Sequence, residues 1–223
     1  IESVDGSLRR LKTDYIDVFF THYLDPNIPI EEICRTMDDL VSSGKVRTFG
    51  VSNWCAWQIA KALGISFFRG WNRITCIEPM YNLVKRQAEV ELLPLALSEN
   101  LGVICYSPLG GGLLTGKHTF DQRHENSRLA SQDLYKKRYG HEWMYQAAAG
   151  LSKIAEERGV SAVTLAIAWV LKHQAVTAPI IGARNLEQLQ PALDAATFNM
   201  DDALYAQITE LTPDPPSATD RNP

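Results

Sequence analysis

YIDVFFTH, at residues 15–22, is apolar on both alternating sets of positions in its centre. A strand with this pattern needs cover on both faces, which is typical of a parallel sheet flanked by helices. Apolar residues then recur at helical spacing, at Ile30, Ile33, Met37, Leu40 and Val41. Glu31 and Glu32 favour the amino end of this helix and Gly44 its carboxyl end. The stretch therefore predicts a strand followed by a crossover helix, which is one β/α unit.

The alternation of strand and helix continues along the chain. We predict five parallel strands, at residues 16–22, 47–53, 75–82, 102–108 and 177–184, alternating with amphipathic helices. Between residues 110 and 140 the sequence turns polar, which predicts a long excursion over the strand ends. We expect one domain at residues 1–212 and a proline-rich tail at residues 213–223. In such folds the functional residues lie at the carboxyl ends of the strands.

Composition excludes several classes of protein. The 223 residues are 45% hydrophobic with a net charge of −4, so the chain can bury a core and lacks the basic footprint of a nucleic-acid or membrane-surface protein. No stretch approaches the roughly 20 apolar residues of a transmembrane helix, and no secretion pattern opens the chain. We expect a cytoplasmic protein with a small, soluble ligand. The scattered cysteines and histidines predict neither a disulfide framework nor a metal site.

Two glycine-containing segments follow strands. Tyr106 ends the fourth strand, and the glycine-rich turn after it allows backbone amides to approach a phosphate or diphosphate. Plain turn chemistry is the alternative there. Gly182 and Arg184 end the fifth strand, and Asn185 is placed to cap the next helix, whose terminus could hold an anion. The alternative is a capped helix beside a surface arginine.

Two polar groups end the first two strands. Ser52 and Asn53 could hold a planar carboxamide, or could cap the helix that follows. His22 ends a strand with an apolar interior and could donate a hydrogen bond to a substrate carbonyl, although a lone histidine is more often structural. All these groups fall at the same end of consecutive β/α units.

Here the sequence resembles the aldo-keto reductase family nearly from end to end. The matching motifs are Asp14-Tyr15-Ile16-Asp17 leading to His22; Gly44-Lys45-Val46-Arg47 leading to Gly50-Val51-Ser52-Asn53; Glu78 with Tyr81-Asn82; Tyr106-Ser107-Pro108-Leu109-Gly110 with Leu113-Leu114-Thr115-Gly116-Lys117; and Pro179-Ile180-Ile181-Gly182-Ala183-Arg184 with Glu187-Gln188-Leu189. The resemblance implies a (β/α)8 TIM-barrel type of fold. It also implies hydride transfer from a nicotinamide cofactor, usually NADPH, to an aldehyde or ketone.

The resemblance assigns roles residue by residue. His22 would orient the substrate carbonyl, and Ser52, Asn53 and Glu78 would hold the nicotinamide carboxamide. Tyr106 would stack on the nicotinamide ring. The diphosphate would be bordered by Ser107, Pro108, Leu109, Gly110 and Lys117, together with Ser127 and Arg128. The adenosine end would contact Gly182, Ala183, Arg184 and Gln188, with Arg184 at the 2′-phosphate.

The chain also departs from the family pattern. The family's tyrosine acid, with its aspartate and lysine, has no place here, and we expect strands four to eight of a barrel whose first three strands are missing. An N-terminally truncated chain would be inactive alone, because hydride transfer needs a proton donor. Glu78 stands where the family more often has glutamine. Pro191 and Ala192 replace an acid-amide pair that often meets the adenine, so the grip on the adenine would be weaker.

Five parallel strands cannot close a barrel, because closure ties strand number to tilt and stagger. An incomplete barrel of about five strands would leave two sheet edges open, and pairing into a homo-oligomer would cover them. Two other interpretations remain open. The chain could be a non-catalytic nucleotide-binding module resembling potassium-channel β subunits, or an inactive remnant.

Overall fold

The structure is a computed structural model, and it describes residues 2–122 and 127–219. The chain divides into two compact units, Ile1–Pro79 with Glu91–Val103, and Met80–Val90 with Ile104–Pro223. We call them unit 1 and unit 2. The expectation of one domain at residues 1–212 stays a prediction. No helix within the described ranges combines the length and apolarity that crossing a bilayer requires.

Unit 1 holds three β/α units. Its elements in chain order are α1 (Glu2–Leu11), β1 (Ile16–Thr21), α2 (Ile30–Ser42), β2 (Val46–Ser52), α3 (Ala56–Arg69), β3 (Ile74–Glu78), α4 (Leu92–Ser98) and the first half of β4 (Gly102–Cys105). The strands are parallel, with β1 beside β2, β2 beside β3, and β3 beside the start of β4. The strands pack closely at Gly50, where an added Cβ would lie 2.5 Å from the Phe20 ring and 2.6 Å from Cys76 Sγ. Only glycine allows the neighbouring strands to meet at this point.

Unit 2 holds the rest of β4, β5 (Ala178–Pro179) and most of the helices. Its helices are α5 (Arg128–Ser131), α6 (Asp133–Arg138), α7 (Glu142–Glu157), α8 (Ala162–Lys172), α9 (Leu186–Asp194) and α10 (Asp202–Thr209), with 3-10 segments at Gln87–Glu89 and Gly110–Thr115. The end of β4 pairs in parallel with β5. The five strands therefore pair in chain order. This confirms the predicted fold class, five parallel strands with surrounding helices, as in an incomplete (β/α) barrel.

Several predicted boundaries differ from the structure. The fifth strand is only two residues long, because Pro179 has no N–H to donate to a ladder and only the Ile180 amide continues the pairing, to the Cys105 carbonyl at 2.7 Å. The polar stretch at residues 110–140 was predicted as one long excursion. It instead contains a 3-10 segment and the short helices α5 and α6, and residues 123–126 of its polar cluster lie outside the described residues.

A buried aromatic stack forms part of the core of unit 2. Trp169 is fully buried, with ring centroids 5.3 Å from Tyr81 and 5.6 Å from Tyr205. The indole Nε1 donates to Thr209 Oγ1 at 2.8 Å, so the one polar atom of this ring system is satisfied. The stack therefore joins α8 to α10.

An ion pair beside this stack anchors the end of the described chain. Arg86 is buried and donates to both carboxylate oxygens of Glu89, at 3.0 and 2.9 Å, and Tyr81 donates to the same carboxylate at 2.7 Å. Arg86 also contacts Thr212 and Asp214, each at 3.2 Å. Burial of Tyr81, reinforced by the Glu89 charge, raises the pKa of its hydroxyl. The segment after α10 is thus tied to the core.

Candidate functional site

Three strand ends of unit 1 are joined by a ladder of side-chain hydrogen bonds, which we call the strand-end ladder. The buried Ser52 hydroxyl, at the end of β2, donates to the Glu78 carbonyl at the end of β3, over 2.9 Å. Asn53 Nδ2 donates to Ser52 Oγ at 3.0 Å and to the His22 carbonyl, just after β1, at 3.1 Å. The four predicted residues of this unit therefore lie together, with the exposed His22 and Asn53 beside the half-buried Glu78.

Asn53 makes the ladder possible through its backbone. Its φ is +59°, in the left-handed region that asparagine tolerates better than most residues. The alternative interpretation, that Ser52 and Asn53 cap the next helix, is wrong. The residue at the N-cap of α3 is Cys55, whose backbone N–H donates to Gln58 Oε1 at 2.8 Å. The polar pair is therefore committed to the strand ends.

The glycine-rich turn of unit 2 begins with Ser107, whose φ is +57°, and continues through three glycines with positive φ. Two aromatic rings form its floor. A Cβ added to Gly111 would lie 2.5 Å from Tyr135, and one added to Gly110 would lie 3.5 Å from Tyr139. The turn is thus shaped by positions that exclude a side chain. An ordinary turn, which was the alternative interpretation of this segment, does not need two aromatic rings packed against it.

Asn82 and Tyr139 support the turn from below. Asn82 is buried, and its Nδ2 donates to the Ser107 carbonyl at 2.9 Å and to the Tyr139 hydroxyl at 3.4 Å. The Tyr139 hydroxyl in turn donates to Met80 Sδ at 3.7 Å. Burial raises the pKa of Tyr139 to about 12, so this hydroxyl stays protonated at neutral pH. The half-buried Tyr106 is held by a β-bridge to Met80.

Cations surround the same turn. Arg128 donates to the Tyr135 hydroxyl at 3.1 Å, and its guanidinium lies 5.1 Å from the centroid of that ring. Arg138 lies 5.8 Å from the same centroid. Lys117 is exposed just beyond the turn. This arrangement suits a doubly charged anion, because backbone turns with positive φ and nearby arginines both attract phosphate.

The start of α9 is a second site of polar character in unit 2. Asn185 caps the helix as predicted, with its side chain accepting from the Gln188 amide at 2.9 Å, and Gln188 Oε1 accepts from the Arg184 amide at 3.2 Å. The amides of Leu186 and Glu187 precede the first bonded turn of the helix. Gly182, Ala183, Arg184 and Gln188 are all exposed. The Arg184 side chain is therefore placed where it could meet a ligand.

The structure thus groups the predicted residues in three places. The strand-end ladder unites His22, Ser52, Asn53 and Glu78; the glycine-rich turn unites Tyr106, Ser107, Pro108, Leu109 and Gly110 near Arg128; and the start of α9 unites Arg184 with Gln188. Sequence reasoning gave no role to Asn82, Tyr135 or Tyr139. The Tyr81-Asn82 motif was the available signal for Asn82, whereas nothing in the sequence marks the two later tyrosines as the floor of the turn.

No group of histidine, cysteine and acidic side chains in the described residues is arranged to hold a metal ion. Besides His22 and the Glu78 carboxylate, the polar groups of the three places are hydroxyls, side-chain amides, backbone N–H groups and arginines. Such donors recognise carboxamide and phosphate groups.

Comparison with known proteins gives the family. Residues 1–213 match the sequence model of the aldo/keto reductase family. The uncharacterized oxidoreductase YrpG of Bacillus subtilis is 35% identical over 217 residues, which are 97% of this chain and 64% of that protein. The aldo-keto reductase YhdN of the same organism is 35% identical over 205 residues, 91% of this chain and 60% of that protein.

A third relative is of a different kind. A probable voltage-gated potassium channel subunit beta of Arabidopsis thaliana is 34% identical over 204 residues, 87% of this chain and 60% of that protein. The chain therefore spans about three fifths of the length of these curated relatives. With the match covering nearly every residue and the strand ends carrying the family's polar motifs, this chain belongs to the aldo/keto reductase family.

Proposed function

We propose that this chain binds NADPH along its strand ends and serves the reduction of aldehydes or ketones. The observation that carries the proposal is the strand-end ladder. It fixes one hydroxyl, one amide and one carboxylate-bearing residue at the carboxyl edge of three adjacent parallel strands, which is where ligands bind in β/α folds. Family membership supports the same assignment.

The residues present fit such a cofactor. Ser52, Asn53 and Glu78 would take the nicotinamide carboxamide, and Tyr106 would cover the ring. The turn at Ser107, Pro108, Leu109 and Gly110, with Lys117 and Arg128, would take the diphosphate. This is supported by the positive φ angles of the turn and by the cations around Tyr135. Gly182, Ala183, Arg184 and Gln188 would take the adenosine end.

His22 would act on the substrate. When bound, the nicotinamide supplies the hydride for the carbonyl carbon. We assign to the His22 side chain a hydrogen bond to the carbonyl oxygen, which orients the substrate and draws electron density away from the carbon. The exposed position of His22 beside β1 and the hydrogen bond from Asn53 to its backbone carbonyl support this role. The proton donor of the family resemblance, a tyrosine, has no counterpart among the residues that we assign.

Arg184 would give the preference for NADPH over NADH, because a guanidinium binds a 2′-phosphate through charge-assisted hydrogen bonds. The test is fluorescence titration with both nucleotides. Arg184→Ala should weaken NADPH binding by about tenfold to a hundredfold while NADH binding changes little. The exposed Arg9→Ala on α1 is the matched control and should bind both nucleotides as the unchanged chain does. A flat response of the unchanged chain at millimolar NADPH would refute the proposal.

A non-catalytic, nucleotide-binding role is the second candidate, because one relative is named as a channel subunit beta. Carbonyl-dependent oxidation of NADPH by this chain would exclude the non-catalytic role. Saturable NADPH binding without turnover agrees with the binding module and excludes only a reductase that is active with these residues alone. For either role we propose a cytoplasmic location, and a small carbonyl compound is the expected substrate of the reductase.

A further inference from the structure

Two arginines lie beside the ring of Tyr135, which is on α6 next to the glycine-rich turn. Arg128 donates to the Tyr135 hydroxyl at 3.1 Å, and the guanidinium groups of Arg128 and Arg138 lie 5.1 and 5.8 Å from the centroid of the ring. At such distances a guanidinium is attracted by the negative face of an aromatic ring. Arg128 belongs to α5 and Arg138 to the end of α6, so one ring brings together cations from two helices.

The Tyr135 ring is itself restrained on two sides. A Cβ added to Gly111 would lie 2.5 Å from Cδ1 of the ring, so the ring packs directly against the backbone of the turn. One helical turn later, the ring of the fully buried Tyr139 lies 6.2 Å from that of Tyr135, with the two planes inclined by 29°. The Tyr139 hydroxyl accepts in turn from Asn82. A group that is fixed to the Tyr135 ring is therefore also fixed relative to the turn.

Among the residues that the structure describes, no carboxylate forms an ion pair with Arg128 or Arg138. The acidic residue of α6, Asp133, pairs instead with Lys136 at 3.2 Å. A third cation lies near, because burial lowers the pKa of Lys85 and the charge of Arg138 lowers it further. Positive charges gathered in one place repel one another, so an anion bound among them would be stabilised.

Trp71 in unit 1 provides a contrast within the same chain. Two arginines also lie beside its ring, Arg35 at 5.5 Å and Arg69 at 5.9 Å from the centroid. Each of these two pairs with a carboxylate of the chain, at 3.1 and 2.6 Å. The arginine charges at Trp71 are thus balanced within the protein, whereas those at Tyr135 have no such partner in the described residues and can bind an anionic ligand.

We propose that Tyr135 is a positioning residue, which holds Arg128 and Arg138 so that both guanidinium groups bind the diphosphate of the nucleotide at the glycine-rich turn. The inference rests on the proposed binding of NADPH and adds Tyr135 and Arg138 to the residues assigned above. A guanidinium can donate two parallel hydrogen bonds to phosphate oxygens. A ring that already fixes the orientation of the guanidinium reduces the entropy that is lost when these bonds form.

Isothermal titration calorimetry with NADPH and with inorganic diphosphate tests the inference. Arg138→Gln and Tyr135→Leu should each weaken the binding of both ligands by about tenfold, because charge-assisted hydrogen bonds to the diphosphate are lost or misdirected. Tyr135→Phe keeps the ring and loses only the hydroxyl, so it should weaken binding by about threefold. Trp71→Leu is the matched control, since it removes a ring whose two arginines are already paired, and it should bind both ligands like the unchanged chain.

Combined variants separate positioning of the arginines from a general effect on the turn. In an Arg128→Gln/Arg138→Gln background, Tyr135→Leu should weaken NADPH binding by less than about twofold, because the ring then has no guanidinium to position. In the unchanged chain the same substitution should weaken it by about tenfold. Equal losses in the two backgrounds would show that Tyr135 acts only through the shape of the turn, and would overturn the inference.

The two ligands also separate this inference from the proposed function. NADPH binding that is the same in Arg138→Gln, Tyr135→Leu and the unchanged chain would overturn the inference and leave the proposed function standing. If the unchanged chain binds diphosphate but not NADPH, and the variants bind diphosphate less well, the two arginines are supported as diphosphate ligands and the proposed function is refuted. Failure of the unchanged chain to bind either ligand would overturn both.

Discussion

Asn53 has two separable tasks at the residue scale. Its backbone adopts a left-handed conformation, and its side chain donates two hydrogen bonds of the strand-end ladder, one to the His22 carbonyl just after β1 and one to Ser52 Oγ at the end of β2. Glycine can adopt the same backbone conformation but has no side chain to donate the hydrogen bonds. The residue therefore allows conformational strain and hydrogen bonding to be measured apart.

We predict that Asn53→Gly lowers the free energy of unfolding by about 1 kcal/mol through the lost hydrogen bonds. Asn53→Ala should lower it by about 1 to 2 kcal/mol more, because alanine is strained at positive φ. Urea unfolding measures both. Asn100→Gly is the control, since Asn100 has a φ of +53° without the ladder, and it should leave stability nearly unchanged. Equal losses in Asn53→Gly and Asn100→Gly would show that the ladder adds nothing.

His173 makes stability depend on pH. Burial lowers the pKa of His173 and outweighs the opposing effect of Glu89, while Arg86 adds to the lowering and the Tyr81 ring lies 5.7 Å away. In the folded chain its Nδ1 accepts from the Ala175 amide at 3.2 Å, which requires an unprotonated Nδ1. In the unfolded chain His173 has its ordinary pKa of 6.5, whereas in the folded chain its pKa is lower. As the pH falls through 6.5, the unfolded chain therefore binds more protons than the folded chain.

The free energy of unfolding should accordingly decline below about pH 6.5 and level off above it. His173→Asn keeps an acceptor for the Ala175 amide but does not titrate, so its stability should change less between pH 7 and pH 5. Thermal melts at several pH values measure the difference. The exposed His141→Gln should retain the full acid dependence, and a loss of that dependence there would point away from His173.

Residues at strand ends were largely predictable from the sequence, because the end of a strand is a local property. His22, Ser52 and Asn53 were predicted at strand ends, and the structure adds the hydrogen bonds between them. Glu78 was predicted inside a third strand that continued to residue 82, whereas the strand ends at Glu78. Asn82 beneath Ser107 and Tyr139 beneath Gly110 were not assigned roles. Asn82 contacts Ser107 and Tyr139, which lie 25 and 57 positions later in the chain. No local sequence pattern encodes contacts over such a separation.

At the scale of elements, the glycine-rich turn depends on the short helix α6. Gly111 has a φ of +68° and lies against the Tyr135 ring of that helix, whereas Gly44 has a φ of +77° in open space. The two glycines therefore share a backbone requirement and differ in steric contact.

We predict that Gly111→Ala destabilises the chain more than Gly44→Ala does. Gly44→Ala should lose about 1 kcal/mol from the left-handed backbone alone. Gly111→Ala should lose a further 1 to 3 kcal/mol, because the new methyl group displaces Tyr135. Denaturant unfolding measures both variants. Equal losses would show that Tyr135 moves freely, and the turn would then not be a rigid support for a ligand.

Element boundaries show where local rules fail. Helix α3 continues past Gly64 to Arg69, because Ser66 and the preceding apolar residues pack into the core and offset the low helix propensity of glycine. The 3-10 segment and the helices α5 and α6 escaped prediction because they are short and polar. Their stability comes from contacts such as the Arg128 and Tyr135 pair rather than from periodicity.

At the scale of the whole molecule, the predicted open edge of the sheet remains relevant. Within the part of the chain that the structure describes, β1 pairs with β2 alone, and Val18 on β1 is 37% exposed. An exposed strand edge is a template for pairing with another chain.

We predict that Val18→Lys slows concentration-dependent aggregation, because a lysine on an edge strand opposes pairing with a second strand. Light scattering during incubation at raised protein concentration measures this. Leu193→Lys, at an apolar position of α9 that is 49% exposed, is the control and should aggregate like the unchanged chain. Faster or unaltered aggregation of Val18→Lys would direct attention to another surface.

The buried stack of Tyr81, Trp169 and Tyr205 also has an optical consequence. An indole sealed from water emits at shorter wavelength than the exposed Trp57, and two phenols within 6 Å can pass their excitation energy to it. Loosening of this core should therefore appear as a red shift together with weaker sensitised emission.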